Sequence, residues 1–371
     1  MRRATAPSLA PPIVSDAPIS SAQFDALARA PVAQRLIDVV TQRPELPLVI
    51  ALCGPAGSGK TSVLRMAGEL CAARADLRAF AMDAWIAGDA AHINEDFLRE
   101  VSLIFEEEKV VGQAEKVRDR LFAFGDYVSA VARFAGVKVD VKGALEKTPD
   151  ALRDEVLKLT EAIGKRIVVL VDHLDRLPPA EALAVLKLIQ RWGTFPYFAF
   201  VLGIDRAQMV HSLRRIDGDD DDLARIVSVE LPLPPVDRAE LAGWMRGGLT
   251  DLAHALDVDP SGALALFDAE HGLGLGLVTT LRHAKRLLNA LSAALPLAGP
   301  GVDLRAAVLT ELIREQLPAA YAIMIDQLPY TTDAAARARL HDELLPFATR
   351  HPRPMEAARV LEALLGPQAQ S

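Results

Sequence analysis

The sequence predicts an α/β fold: a parallel sheet between helices, followed by an α-helical C-terminal region. Three observations predict it. Apolar runs of strand length recur at 48–53, 77–81, 166–172 and 198–205, with helix-patterned stretches between them. Strands joined through helices run parallel, because the crossover returns the chain to the same end of the sheet. The first run enters a glycine-rich turn at Gly54 that opens a helix, and everything after Val236 is patterned as helix.

Length and composition narrow the classes. A chain of 371 residues suggests two or three domains, and 51% hydrophobic with 24% charged residues is ordinary for a globular protein. The net charge of −8 gives no support to a nucleic-acid binder working through bulk positive charge. Two cysteines, Cys53 and Cys71, make no disulfide framework. The basic Met1-Arg2-Arg3 is followed by Pro and Ser rather than an apolar stretch, so no secretory signal is read. No run of 18 uncharged apolar residues is present, so no transmembrane segment is expected and the location is expected to be cytoplasmic.

Taken in order, residues 1–22 are rich in Ala, Pro and Ser and read as a disordered arm. Phe24, Leu27, Val32, Leu36, Ile37 and Val40 suggest one or two helices, and Pro44 and Pro47 break the chain before the first strand. A core is expected over 23–235, with a helical insertion at about 89–160. Within it, 121–135 is strongly apolar but carries Arg133 and Asp126; it reads as an amphipathic helix on the core, with a membrane-surface or partner-facing helix as the alternative. Asp217 to Asp222 lacks the spacing of a calcium loop and reads as a solvated loop. Leu231-Pro232-Leu233-Pro234-Pro235 reads as an extended linker closing the core. A helical lid (236–296) and a C-terminal helical region (297–371) follow, with Pro/Gly breaks near 260, 272–276, 296–301, 318 and 352–354.

The chemistry lies in Gly54-Pro55-Ala56-Gly57-Ser58-Gly59-Lys60-Thr61-Ser62, the pattern G-x-x-x-x-G-K-[ST] between strand and helix. Glycines let backbone N–H groups approach phosphate oxygens, and the helix start turns its partial positive charge toward the same anion. Lys60 would neutralise the outer phosphates and the Thr61 hydroxyl would ligate Mg²⁺. Arg166-Ile167-Val168-Val169-Leu170-Val171-Asp172 is a β-branched run closing on an acid, and Asp172 is the expected second Mg²⁺ ligand.

Together these residues resemble the KAP family of P-loop NTPases, which belongs to the additional-strand class. The resemblance covers roughly 24–295. It includes Gly54 to Ser62, Asp83-Ala84-Trp85, Val171-Asp172-His173-Leu174-Asp175-Arg176, Val201-Leu202-Gly203-Ile204-Asp205-Arg206, Arg225-Ile226-Val227, Leu231 to Pro234, and Leu281-Arg282-His283-Ala284-Lys285-Arg286-Leu287-Leu288-Asn289. It implies a Mg²⁺-dependent ATPase acting as a nucleotide-driven switch or assembly factor. Many members insert transmembrane helices between the P-loop and the second acidic motif; here that interval holds only a charged segment.

A second departure is His173, where the family usually has an acid. Asp175 is the favoured base, with helix capping as its alternative role; His173 as a neutral base, or slow hydrolysis, are the other options. Arg176, Arg206, Arg282, Lys285 and Arg286 are candidates for sensing γ-phosphate charge, and Arg286 with Lys285 is preferred because the wider class places a sensor in its helical lid. Two other functions compete. A scaffold would bind ATP and hardly turn it over; a small-molecule kinase would use Asp83 as base. A protein partner or self-association is expected through the C-terminal helices, where Leu309, Leu312, Ile313 and Leu317 form an apolar stripe. Peripheral membrane contact stays open, and ATP is favoured over GTP because no guanine-reading motif is present.

Overall fold

In the computed structural model, residues 13–87, 89–108, 149–216, 220–299, 301–331 and 333–366 are described. The chain divides into two compact units, Pro18–Pro234 and Met1–Ala17 with Pro235–Ser371.

The first unit is built on a five-stranded parallel sheet: β1 Leu48–Cys53, β2 Leu77–Asp83, β3 Arg166–Asp172, β4 Phe198–Ile204 and β5 Val229–Pro232, in the order β2-β3-β4-β1-β5. β4 is the additional strand, lying between the P-loop strand β1 and the acid-bearing strand β3. β3 and β4 are buried at every position, which is why they read as unbroken apolar runs. Alternate residues serve opposite faces. Val49, Ala51, Val169 and Phe200 join one core with the helices Ala90–Glu107 and Pro179–Trp192, where the Phe97 ring is tilted against Trp192 at 4.8 Å and stacked on Phe200 at 5.8 Å. Ile50, Leu52, Val168 and Val201 join an aliphatic core with the helices Ala30–Thr41 and Lys60–Ala72.

Three expectations change, and a fourth is followed only in part. Leu231 and Pro232 are not linker: β5 pairs in parallel with β1, Leu52 beside Leu231, and Pro232 is tolerated because the strand is at the sheet edge. The acidic run is not loop throughout, since Asp220–Ile226 is a helix; Asp217 to Asp219 lie outside the described residues. Phe24 is 65% exposed, and the buried stripe of its neighbouring helix is Ala33, Leu36, Ile37 and Val40. Of the expected insertion, Ala90–Glu107 and Pro149–Ile163 are helices, whereas the amphipathic reading of 121–135 lies outside the described residues.

The second unit is helical. Arg238–Leu256, Leu281–Ala294, Leu304–Gln316, Pro318–Gln327, Ala334–Thr349 and Pro354–Leu365 share one core that includes Leu249, Leu287, Leu312, Leu344 and Leu361. Asp237, Thr280, Asp303 and Asp333 cap four of these helices through their side-chain oxygens, and Pro318 and Pro354 start two others. The stripe Leu309, Leu312, Ile313 and Leu317 is buried in this core. No helix among the described residues is long and apolar enough to cross a membrane.

The chain passes between the units at Ala17–Pro18 and again at Pro234–Pro235. In the helical unit, Asn289 holds Val14 by both edges of its amide: Oδ1 accepts the Val14 N–H at 2.7 Å and Nδ2 donates to the Val14 carbonyl at 2.8 Å. Lys285 donates to the Ser15 carbonyl and Arg282 pairs with Asp16. In the sheet unit, Arg65 donates to the Pro18 carbonyl and the Ile19 N–H donates to Ser62 Oγ. The second crossing is held from the sheet side by the buried Arg29, which donates to the Pro234 carbonyl at 2.6 Å.

Candidate phosphate-binding site

Every side chain of the site in the sheet unit comes from the carboxyl end of a strand or the helix that follows it. β1 runs into the turn at Gly54. Gly59 has φ +101°, a conformation open to glycine and strained for other side chains, and it is followed directly by the helix beginning at Lys60. The turn therefore ends in a helix start whose N–H groups and partial positive charge suit an anion, while the Gly54 and Ser58 N–H groups donate to the Ile204 and Pro55 carbonyls.

Lys60 is largely buried; its Nζ donates to the carbonyls of Gly54 at 2.7 Å and Pro55 at 3.3 Å and lies 3.9 Å from Asp175 Oδ2. Burial pulls its pKa below the ordinary lysine value, opposed first by the charge of Asp175 and then by Asp205 and Asp172. One carboxylate, Asp175, thus lies beside the ammonium, and the charges of Asp205 and Asp172 act on it as well.

Asp172 ends β3 and is buried to 9% exposure, with Oδ1 accepting the N–H of His173 at 2.9 Å. The close approach of Gly203 on β4 makes room for it: a Cβ there would lie 3.1 Å from Asp172 Oδ1 and 2.8 Å from Leu64 Cδ1. A buried carboxylate in a cradle that any side chain at 203 would fill fits a hard divalent cation. Among the described residues no three His, Cys, Asp or Glu side chains converge as a metal cage, so phosphate oxygens and water would supply the remaining ligands.

Asp175 turns back toward the sheet. Its Oδ2 accepts the Asp205 N–H at 2.7 Å, its carbonyl accepts from Gln208, and it thereby ties the end of β3 to the end of β4. Asp205 in turn caps the helix Arg206–Leu213. Asp83, at the end of β2, accepts the N–H groups of Trp85 and Ile86 on Oδ1 and lies 2.8 Å from His173 Nδ1 through Oδ2. Arg176 stacks over Trp85 at 5.3 Å.

Lys60, Asp172 and Asp175 are thus in one unit, with Asp175 touching Lys60. Arg286 belongs to the helical unit, 62% exposed at its side chain and paired with Glu315 at 3.2 Å. Reading the sequence assigned no role in the site to Gly203 or Asp205. The available signal was that β2, β3 and β4 each run into an Asp: Asp83, Asp172 and Asp205.

An apolar strand, a G-x-x-x-x-G-K-T turn, a helix, and an acid two strands away across an additional strand define a P-loop nucleotide-binding domain of the additional-strand class. The chain belongs to the KAP family: the KAP family P-loop domain matches residues 29–298. A curated relative, the phage T7 exclusion protein of Escherichia coli strain K12, is 23% identical over 321 residues, covering 76% of this chain and 43% of the relative. The chain therefore spans less than half the length of that protein. Similar solved structures include the Aeropyrum pernix ORC2 protein in its ADPNP-ADP complexes, with 16% identity, TM-score 0.38 and coverage of 95% of this chain and 89% of that one. The Aeropyrum pernix ORC1 protein in complex with DNA matches with 16% identity, TM-score 0.38 and coverage of 91% and 82%.

Proposed function

We propose that the chain binds ATP with Mg²⁺ at the P-loop and hydrolyses it, and that the helical unit changes with the nucleotide state. The observation that carries this reading is the grouping of Lys60 with Asp172, Asp175 and Asp205 at the ends of β3 and β4. In this reading Gly54 to Ser62 cradle the phosphates, Thr61 and Asp172 hold Mg²⁺, and Lys60 neutralises charge building on the outer phosphates. The metal supplies charge neutralisation; the chain's residues hold and orient the nucleotide. Asp175 acts by setting Lys60 and the end of β4, and Arg286 serves as the sensor in the helical unit. By analogy with the relative named for excluding phage T7, we place the switch in defence against phage, with a protein partner on the helical unit.

The second reading, a scaffold that binds ATP with little turnover, is favoured by one observation: the position after Asp172 is a histidine already engaged by Asp83. The kinase reading would need Asp83 as base, and that carboxylate is already tied to His173 through Oδ2 and to Trp85 and Ile86 through Oδ1.

The test is Mg²⁺-dependent phosphate release from ATP by wild type and Lys60→Ala, with nucleotide binding followed alongside. Loss of roughly 10²–10³-fold or more in turnover is expected for Lys60→Ala. Binding without release by wild type selects the scaffold, and no binding at all overturns the reading.

A further inference from the structure

The parallel register of β2 and β3 sets Asp83 directly beside Asp172. Like charges at adjacent positions repel, so something must sit between them. His173 does. Its Nδ1 is 2.8 Å from Asp83 Oδ2, its Nε2 is 3.6 Å from Asp172 Oδ2, and its own N–H donates to Asp172 Oδ1. The residue is in the left-handed region, φ 59° and ψ 24°, which a side chain beyond glycine adopts only when its surroundings hold it there. Asp83 is itself fixed, since its other oxygen accepts from Trp85 and Ile86. The chain of support therefore runs from the turn after β2, through Asp83, to the imidazole, and ends on both oxygens of Asp172.

We propose that Asp83 and His173 form a positioning pair that fixes the Asp172 carboxylate for a divalent cation, a task one acidic neighbour cannot perform at this register. The ring blocks rotation of the carboxylate on the Oδ2 side, and the left-handed backbone aims an N–H at Oδ1. Groups that orient a metal ligand in this way are worth roughly 10- to 100-fold in metal affinity. The inference rests on the reading of Asp172 as a Mg²⁺ ligand, and the experiment separates the two.

The full chain is titrated with a fluorescent ATP analogue, once in EDTA and once across a range of Mg²⁺, for wild type, Asp172→Asn, His173→Asn, Asp83→Asn and the double variant. Asparagine tolerates the left-handed backbone at 173, and the amide oxygen introduced by Asp83→Asn still accepts from Trp85 and Ile86, so both single variants retain the local turn. His173→Asn is expected to raise the Mg²⁺ midpoint about 10-fold or more, with unchanged affinity in EDTA and an unchanged melting temperature. Asp83→Asn should do the same, and the double variant should be no worse than His173→Asn alone, because Asp83 acts through the ring. A shifted midpoint in Asp172→Asn with a wild-type midpoint in His173→Asn overturns the pair and leaves the metal reading standing. A wild-type midpoint in Asp172→Asn overturns both. Additive single variants, or a fall in EDTA affinity and melting temperature that accompanies the shift, reduce the pair to a structural contact and overturn it.

Discussion

Lys60 and Arg286 carry the same charge on two helices, one in each unit, and their surroundings are opposite. Lys60 is 10% exposed at its side chain, with carbonyls and carboxylates around it. Arg286 is 62% exposed, with one carboxylate, Glu315, as partner. In water a charge is screened and its partner adds little, whereas a buried charge makes every neighbour count. The sheet unit is therefore where single substitutions should cost most stability, and the helical unit's cations should each be replaceable at little cost in stability.

The sharpest break of this contrast is Gly203→Ala. The new Cβ would press on Leu64 and on the Asp172 carboxylate. Denaturant unfolding should show a loss of about 1–3 kcal/mol, the usual cost of overpacking. An unchanged midpoint would mean that the cradle gives way and the sheet unit is softer than its packing implies.

Asp175→Asn comes next. The amide can still accept the Asp205 N–H, so only the charge is lost, and the difference between a charge-assisted and a neutral hydrogen bond is about 1 kcal/mol. Because Asp175 leads the groups that hold the Lys60 pKa up, that pKa should fall further, and turnover should decline at a lower pH on the alkaline side than in wild type. A wild-type pH profile would detach Asp175 from Lys60.

Arg286→Ala is the small end of the scale, between zero and about 1 kcal/mol, because the guanidinium itself lies largely in solvent, although Glu315 is only 11% exposed. It sharpens a pH effect instead. Burial raises the Glu315 carboxyl above the ordinary carboxylate value, and Arg286 opposes that shift. A raised acid keeps its proton longer when folded than when unfolded. Stability therefore falls as pH rises from the ordinary carboxylate value to the folded one and is flat beyond it. Removing Arg286 should widen that falling window, and Glu315→Gln should abolish it; melting temperature against pH reads both.

The same contrast explains what was legible in the sequence. β1, β3 and β4 are covered on both faces, so their positions are apolar and the strands could be read directly. β5 is an edge strand, with Val229 36% exposed and Pro232 at its end, and its residues look like a linker. The P-loop was legible because its chemistry requires a fixed spacing along the chain. The Asp83–His173 contact was not, because strand register brings together residues that local pattern leaves far apart. Residues 14–19 show no periodicity because side chains from other elements, Asn289, Lys285, Arg282, Ser62 and Arg65, hold them, rather than an apolar stripe of their own.

The register of the sheet also sets an order of events during synthesis. β1 has no hairpin partner; Leu48 pairs with Ala199, and Ile50 with Val229. Contacts between such distant residues form late, after a long loop has closed. At the roughly 5–20 residues per second of translation, β1 and the turn after it wait on the order of 10 s for β5 to leave the ribosome. Until β4 and then β5 arrive, Val49, Ile50, Ala51 and Leu52, all buried in the finished sheet, lack the strands that flank them there. The earliest strand of the sheet is thus the one that waits longest for its partners.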